Sequence, residues 1–184
     1  HMLSTQVSGK TLGIVGMGRI GIAMARMAHH GFAMRIVYSS RSAVAESVAM
    51  ELGAQCLPLD ELLQTTDFVS LHCPATPETR NLINAQKLRL MGEHAVLINT
   101  ARGDVVAEAD LVQALRDGVI AGAGLDVYAQ EPAVPKELLD LEQVVLLPHM
   151  GSGTVETREA MGMCALANIE AVSYTHLRAH ETTD

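Results

Sequence analysis

At 184 residues, 48% hydrophobic and 18% charged, the chain has the make-up of one globular domain with a real core, not of a disordered segment. A net charge of −8 excludes a generic nucleic-acid surface, and no apolar run reaches the roughly 18 residues of a membrane span. Cys56, Cys73 and Cys164 are odd in number and have neither disulfide-framework nor zinc spacing, so reduced thiols, no bound metal and a cytoplasmic location are expected.

Short apolar runs predict strands at 12–15, 35–38, 68–71, 96–99, 121–127 and 144–147. Helical stretches fall between them, at 19–30, 43–52, 59–65, 85–91, 107–117 and 136–140, and a last helix begins near Thr154. Several runs are almost uninterrupted, as expected of strands buried on both faces of a parallel sheet. The alternation predicts an α/β fold: a Rossmann-type doubly wound parallel sheet in three layers, α/β/α. Right-handed crossovers then bring the functional loops to the carboxyl edge of the sheet.

Gly16-Met17-Gly18-Arg19-Ile20-Gly21 follows the first strand directly and opens a helix. In that context the three glycines permit a tight turn, a close approach to a pyrophosphate and close helix–strand packing. The amides at Arg19 and Ile20 are then offered to phosphate oxygens. The second strand ends in Ser39-Ser40-Arg41-Ser42, without the acid that accepts from a ribose 2′-OH. Two hydroxyls and an arginine suit a 2′-phosphate, so NADP(H) is the expected coenzyme and NAD(H) the alternative.

Three further segments each follow a strand: Asn99 to Gly103, Leu125 to Pro132, and Pro148 to Ser152. They carry an arginine, a carboxylate and a histidine to one edge of the sheet. Arg102 offers a planar fork for a substrate carboxylate, His149 can give a proton near neutral pH, and Glu131 can orient an imidazole. Taken singly, each also reads as an ordinary structural or surface residue. His72-Cys73 has no further ligands at metal spacing and reads as a strand end lining the coenzyme site.

With these motifs the chain resembles the D-isomer-specific 2-hydroxyacid dehydrogenase family over nearly all of residues 9–171. The carrying stretches are Gly9 to Gly21, Leu71 to Thr79, Asn99 to Val106, Gly122 to Pro132 and Pro148 to Ser152. The resemblance implies that Arg102, Glu131 and His149 are catalytic. It also implies that Asp126 and the Thr100 backbone meet the nicotinamide carboxamide, that Pro74 and Thr79 lie on the loop along the coenzyme, and that Ser152 stands beside the nicotinamide. The end of the second strand is similar to NADPH-using glyoxylate/hydroxypyruvate reductases. Glu131 disfavours a formate dehydrogenase, where Gln stands, and Ser39 a phosphoglycerate dehydrogenase, where Asp is usual.

The resemblance sets further expectations. Residues 3–171 form the nucleotide domain, and the family's substrate domain is absent, so coenzyme binding with little turnover is expected. The substrate of the intact parent is expected to be a small 2-oxoacid or 2-hydroxyacid, and the nucleotide domain is expected to form a homodimer. A non-catalytic, corepressor-like nucleotide module and an inert fragment are the competing readings; the Arg–Glu–His set favours the enzyme. Residues 1–2 read as a cloning remnant. Residues 172–184 match the translation of a sequencing-library adapter, so natural sequence is expected to stop near Ala171, in a gene assembled from metagenomic DNA.

Overall fold

The computed structural model describes residues 5–181, and side chains as far as residue 173. The chain divides into two compact units between Pro148 and His149.

The first unit is a seven-stranded, wholly parallel sheet with helices between the strands. In chain order it runs β1 (Thr11–Val15), α1 (Arg19–Phe32), β2 (Arg35–Ser39), α2 (Glu46–Leu52), β3 (Gln55–Cys56), α3 (Leu59–Thr65) and β4 (Phe68–Leu71). It continues through α4 (Ala85–Leu88), β5 (Val96–Asn99), a 3₁₀ turn (Gly103–Val105), α5 (Glu108–Arg116), β6 (Gly122–Leu125), α6 (Lys136–Leu139) and β7 (Val144–Leu146). The strand order is β3-β2-β1-β4-β5-β6-β7. The chain winds outward from β1 to β3, then crosses back to start β4 on the other side of β1. That reversal opens a crevice at the carboxyl ends of β1 and β4, where doubly wound sheets bind ligands.

All five residues of β1 are buried, which is why it reads as a near-continuous apolar run. One core cluster joins Leu12, Ile14, Ile36 and Tyr38 to Ala25 and Ala28 of α1. A larger one joins Val69, Leu71, Leu97 and Leu125 to Leu62, Leu63, Leu111 and Leu115.

Three expectations need correction. The seventh strand, β3, was not predicted: both of its residues are exposed at the sheet edge, so no apolar run marks it. The helix expected over 85–91 is the single turn Ala85–Leu88, after which the chain turns toward Gly92. The strand expected over 121–127 stops at Leu125, which leaves Asp126 on the loop at the carboxyl edge.

At the opposite edge, Asp67 ties the starts of two strands. It accepts from the Thr11 amide at 2.8 Å and faces Lys10 Nζ at 3.4 Å and His94 Nε2 at 3.3 Å. Burial pushes its carboxyl up, but the Thr11 amide, Lys10 and His94 outweigh this and hold it below its ordinary value. A depressed native pKa adds stability above the unfolded value, and that stability is lost as pH falls through the native one. Asp67→Asn is therefore expected to lower Tm at pH 7 and to lower it progressively less as pH falls below about 3.9, the ordinary aspartate value, toward the lower native one. Equal loss across this range in thermal scans would refute this account.

The second unit begins at His149, whose φ of 53° is uncommon for a non-glycine residue. A turn closed by Gly153 N–H donating to Met150 O (2.8 Å) precedes helix α7, Val155–Glu181. Thr154 Oγ1 accepts from the Thr157 amide at 3.2 Å, an N-cap. The helix runs without a break through Ala171. After Gly162 no Gly or Pro occurs as far as Glu181, so nothing in the chain stops the helix. His1, Met2 and residues 182–184 lie outside the described residues. No helix is long and apolar enough to cross a membrane among the described residues.

Candidate coenzyme and catalytic site

The Gly16–Gly21 loop leaves β1 at the reversal point, and its three glycines serve three different needs. Gly16 has φ +96°, and a Cβ there would stand 2.7 Å from the Cys73 amide nitrogen. Its own N–H donates to Ser39 O at 2.8 Å, and the His72 N–H donates to Val15 O at 2.8 Å. The ends of β1, β2 and β4 are thereby locked together. A Cβ on Gly21 would stand 2.4 Å from Gly16 O, so only glycine lets α1 pack so close to the loop. A Cβ on Gly18 would meet nothing within 4 Å. Protein packing does not demand that glycine; the open space in front of it fits a ligand.

Gly18 is the N-cap of α1, with no side-chain cap and no acid in the first turn. The amides at Arg19 and Ile20, both exposed, thus begin a helix whose end is suited to an anion. A cleft of about 770 Å³ opens beside the loop. Gly16, Gly18, Ser39, Ser40, Arg41, Cys73, Pro74 and Thr79 all line it. Its residues therefore include an extended glycine cradle, two hydroxyls, an arginine and the loop after β4, and they fit a dinucleotide. Arg19, Ile20 and Gly21 belong to the helix start rather than to the lining.

Burial pushes the His72 imidazole down, which keeps it neutral. Its Nε2 lies 2.9 Å from Ser70 Oγ, and its Nδ1 is buried without a hydrogen-bond partner among the described residues. Burial pushes the Cys73 thiol up, so it stands in the cleft wall as a protonated apolar group and not as a nucleophile.

Two loops that carry residues expected to be catalytic meet in the first unit. Asn99, 1% exposed, uses its amide to hold the turn after β5: Ala101 N–H donates to its Oδ1 (3.1 Å), and its Nδ2 donates to Arg102 O (2.9 Å). Thr100 and Arg102 are thereby presented at the exposed edge. The Asp126 amide donates to Asn99 O at 3.0 Å, joining the loop after β6, and its side chain is buried. Glu131 accepts from the Tyr128 amide at 3.0 Å, and Glu108 accepts from the Ala129 amide at 2.8 Å. Tyr128 O–H donates to Leu147 O at 2.8 Å. Burial first, then nearby carboxylates, raise its pKa and keep it a donor. Gly103 closes the contact between the loops: a Cβ there would stand 1.9 Å from the Tyr128 carbonyl carbon.

His149 and Ser152 belong to the second unit, His149 exposed and Ser152 half-buried before α7. Three residues were not singled out from sequence. Tyr128 and Gly103 sit inside motifs already read, but their roles depend on packing between loops. Glu108 lies on a separate helix and carries no local signal.

Comparisons with known proteins agree with this geometry. The family model described as D-isomer specific 2-hydroxyacid dehydrogenase, NAD binding domain, matches residues 1–151. The glyoxylate reductase of Thermococcus onnurineus is 53% identical over 169 residues, covering 92% of this chain and 50% of that protein. A solved glyoxylate reductase from Paecilomyes thermophila superposes with a TM-score of 0.87 at 40% identity, over 92% of this chain and 51% of that one. An NADPH-dependent glyoxylate/hydroxypyruvate reductase from Sinorhizobium meliloti, solved with NADP and malonate, does so with a TM-score of 0.83 at 41% identity, over 89% and 50%. The chain thus spans about half the length of the relatives it matches. With its glycine cradle at the switch point of a parallel sheet, the chain belongs to the D-isomer-specific 2-hydroxyacid dehydrogenases and holds their NAD-binding domain.

Proposed function

We propose that this domain binds NADP(H) in preference to NAD(H) and serves an enzyme that reduces a small 2-oxoacid, such as glyoxylate or hydroxypyruvate. The observation that carries the coenzyme reading is the end of β2: Ser39, Ser40 and Arg41 line the cleft, and no acid stands there to accept from a 2′-OH. The Sinorhizobium meliloti relative, described as NADPH-dependent and solved with NADP, supports it.

The bound coenzyme supplies or takes the hydride. Arg102 holds the substrate carboxylate with its fork and polarises the adjacent carbonyl. His149 is the residue assigned to give the proton that the developing alkoxide needs, and Glu131 the carboxylate assigned to orient it. Thr100, Asp126 and Ser152 frame the nicotinamide end. Turnover by this chain alone is expected to be low, because the relatives are about twice as long and exclusion of water from hydride transfer needs a closed cleft. Homodimerisation through this domain remains part of the proposal, and light scattering reads it.

Fluorescence titration with NADPH and NADH tests the coenzyme reading. NADPH is expected to bind tighter, and Arg41→Ala to weaken it by about 10- to 100-fold, the cost of one or two charge-assisted bonds. NADH affinity is expected to change little. Tighter binding of NADH by the unaltered chain would overturn the reading.

A further inference from the structure

One charge in the cleft has no part in holding the coenzyme as described so far. β2 and β4 flank β1 on either side, so the loops that follow them face each other across the glycine turn. Ser39, Ser40 and Arg41 come from the first loop, and Thr76, Glu78 and Thr79 from the second; all line the same cleft.

The second loop is tied to itself. Thr79 Oγ1 donates to Pro74 O at 2.6 Å and accepts from the Thr76 amide at 2.8 Å. The Thr79 and Arg80 amides donate to Thr76 O at 3.1 and 3.0 Å. Glu78 is therefore carried on a fixed turn, exposed toward the cleft it lines. A hydrogen bond from Thr76, its own amide and the positive field of Arg41 hold its carboxyl below the ordinary range, so it is ionised at neutral pH. Neither Glu78 nor Arg41 closes an ion pair among the described residues. Both charges consequently remain available to act on whatever enters between them.

We infer that Glu78 limits the discrimination between NADPH and NADH, its fixed negative charge opposing the 2′-phosphate that Arg41 attracts. This rests on the reading of Ser39 to Arg41 as the 2′-phosphate site. A phosphate monoester carries about −1.5 to −2 at neutral pH. The 2′-OH of NADH carries none. The carboxylate therefore acts on the difference between the two coenzymes and not on the parts they share. Arg41 and Glu78 together make a site with graded preference, able to accept either coenzyme.

The test measures dissociation constants for NADPH and NADH with the unaltered chain, E78Q, E78K and R41A. At low ionic strength E78Q is expected to raise the NADPH-over-NADH affinity ratio by about 3- to 10-fold, the scale of one exposed charge acting on a dianion. E78K is expected to raise it further, and both gains shrink at about 0.5 M salt, where screening acts within about 4 Å. If R41A removes an NADPH preference but E78Q and E78K leave the ratio unchanged, the role of Glu78 is overturned and the 2′-phosphate site stands. If the unaltered chain shows no NADPH preference and R41A changes nothing, the 2′-phosphate reading fails and takes this inference with it.

Discussion

Gly18→Val is expected to leave a folded domain that no longer holds its coenzyme. The position has ordinary backbone angles, φ −82° and ψ −165°, and a Cβ there meets no protein atom within 4 Å. The folded chain therefore has room for the new side chain. An N-cap glycine replaced by valine costs about 1 kcal/mol, or roughly 2–4 °C in Tm for a domain of this size. A pyrophosphate must approach the Gly18 backbone to reach the amides of α1, and a branched side chain occupies that approach. Affinity for either coenzyme is expected to fall by at least about 100-fold, close to 2.7 kcal/mol. Thermal scans and fluorescence titration separate the two effects. A variant that binds NADPH as tightly as the unaltered chain would show that this loop is not the pyrophosphate cradle.

Gly103→Ala is expected to do the reverse and damage the fold itself. The new methyl would stand 1.9 Å from the Tyr128 carbonyl carbon and 2.1 Å from its oxygen. Both are backbone atoms, so no rotamer change relieves the clash; the turn after β5 and the loop after β6 must move apart. That movement strains the bonds that join them, including Asp126 N–H to Asn99 O. Overpacking in a close-packed interior costs about 1–3 kcal/mol, and a contact to backbone belongs at or above the upper end. A Tm drop of at least about 6 °C is expected, taking about 2–4 °C per kcal/mol. A Tm within 2 °C of the unaltered chain, on the scale of about half a kcal/mol, would contradict the observed contact.

The contrast between these two glycines marks where sequence reading succeeds. Six strands were legible because β1, β2, β4, β5, β6 and β7 are short segments rich in apolar residues; β1 and β4 are buried almost throughout and show the imprint most fully, whereas Arg35 of β2 and Val145 of β7 are exposed. The nucleotide loop was legible because its spacing, between a strand and a helix, is set by local backbone geometry. The β2 terminus was legible for the same reason: Ser39 ends a strand marked by its own apolar run, Ser40 and Arg41 follow it, and all three line the cleft.

What remained hidden was decided by neighbours distant in the chain. The two-residue β3 pairs with β2 through backbone bonds at an exposed edge, and such bonds require no particular side chain. Glu108 reaches the Ala129 amide across 21 positions, and Tyr128 reaches Leu147 across 19. Gly103 matters only because another loop's backbone lies against it. Sequence alone determined the strand–helix alternation, the Gly16–Gly21 cradle and the chemical types on each loop, since each depends on a residue's own conformational and chemical preferences. Only the tertiary structure decided that Glu78 faces the Arg41 loop and that Gly103 and Tyr128 bring the loops after β5 and β6 into contact, because those relations exist only once β4 crosses to the far side of β1 and the loops are brought together.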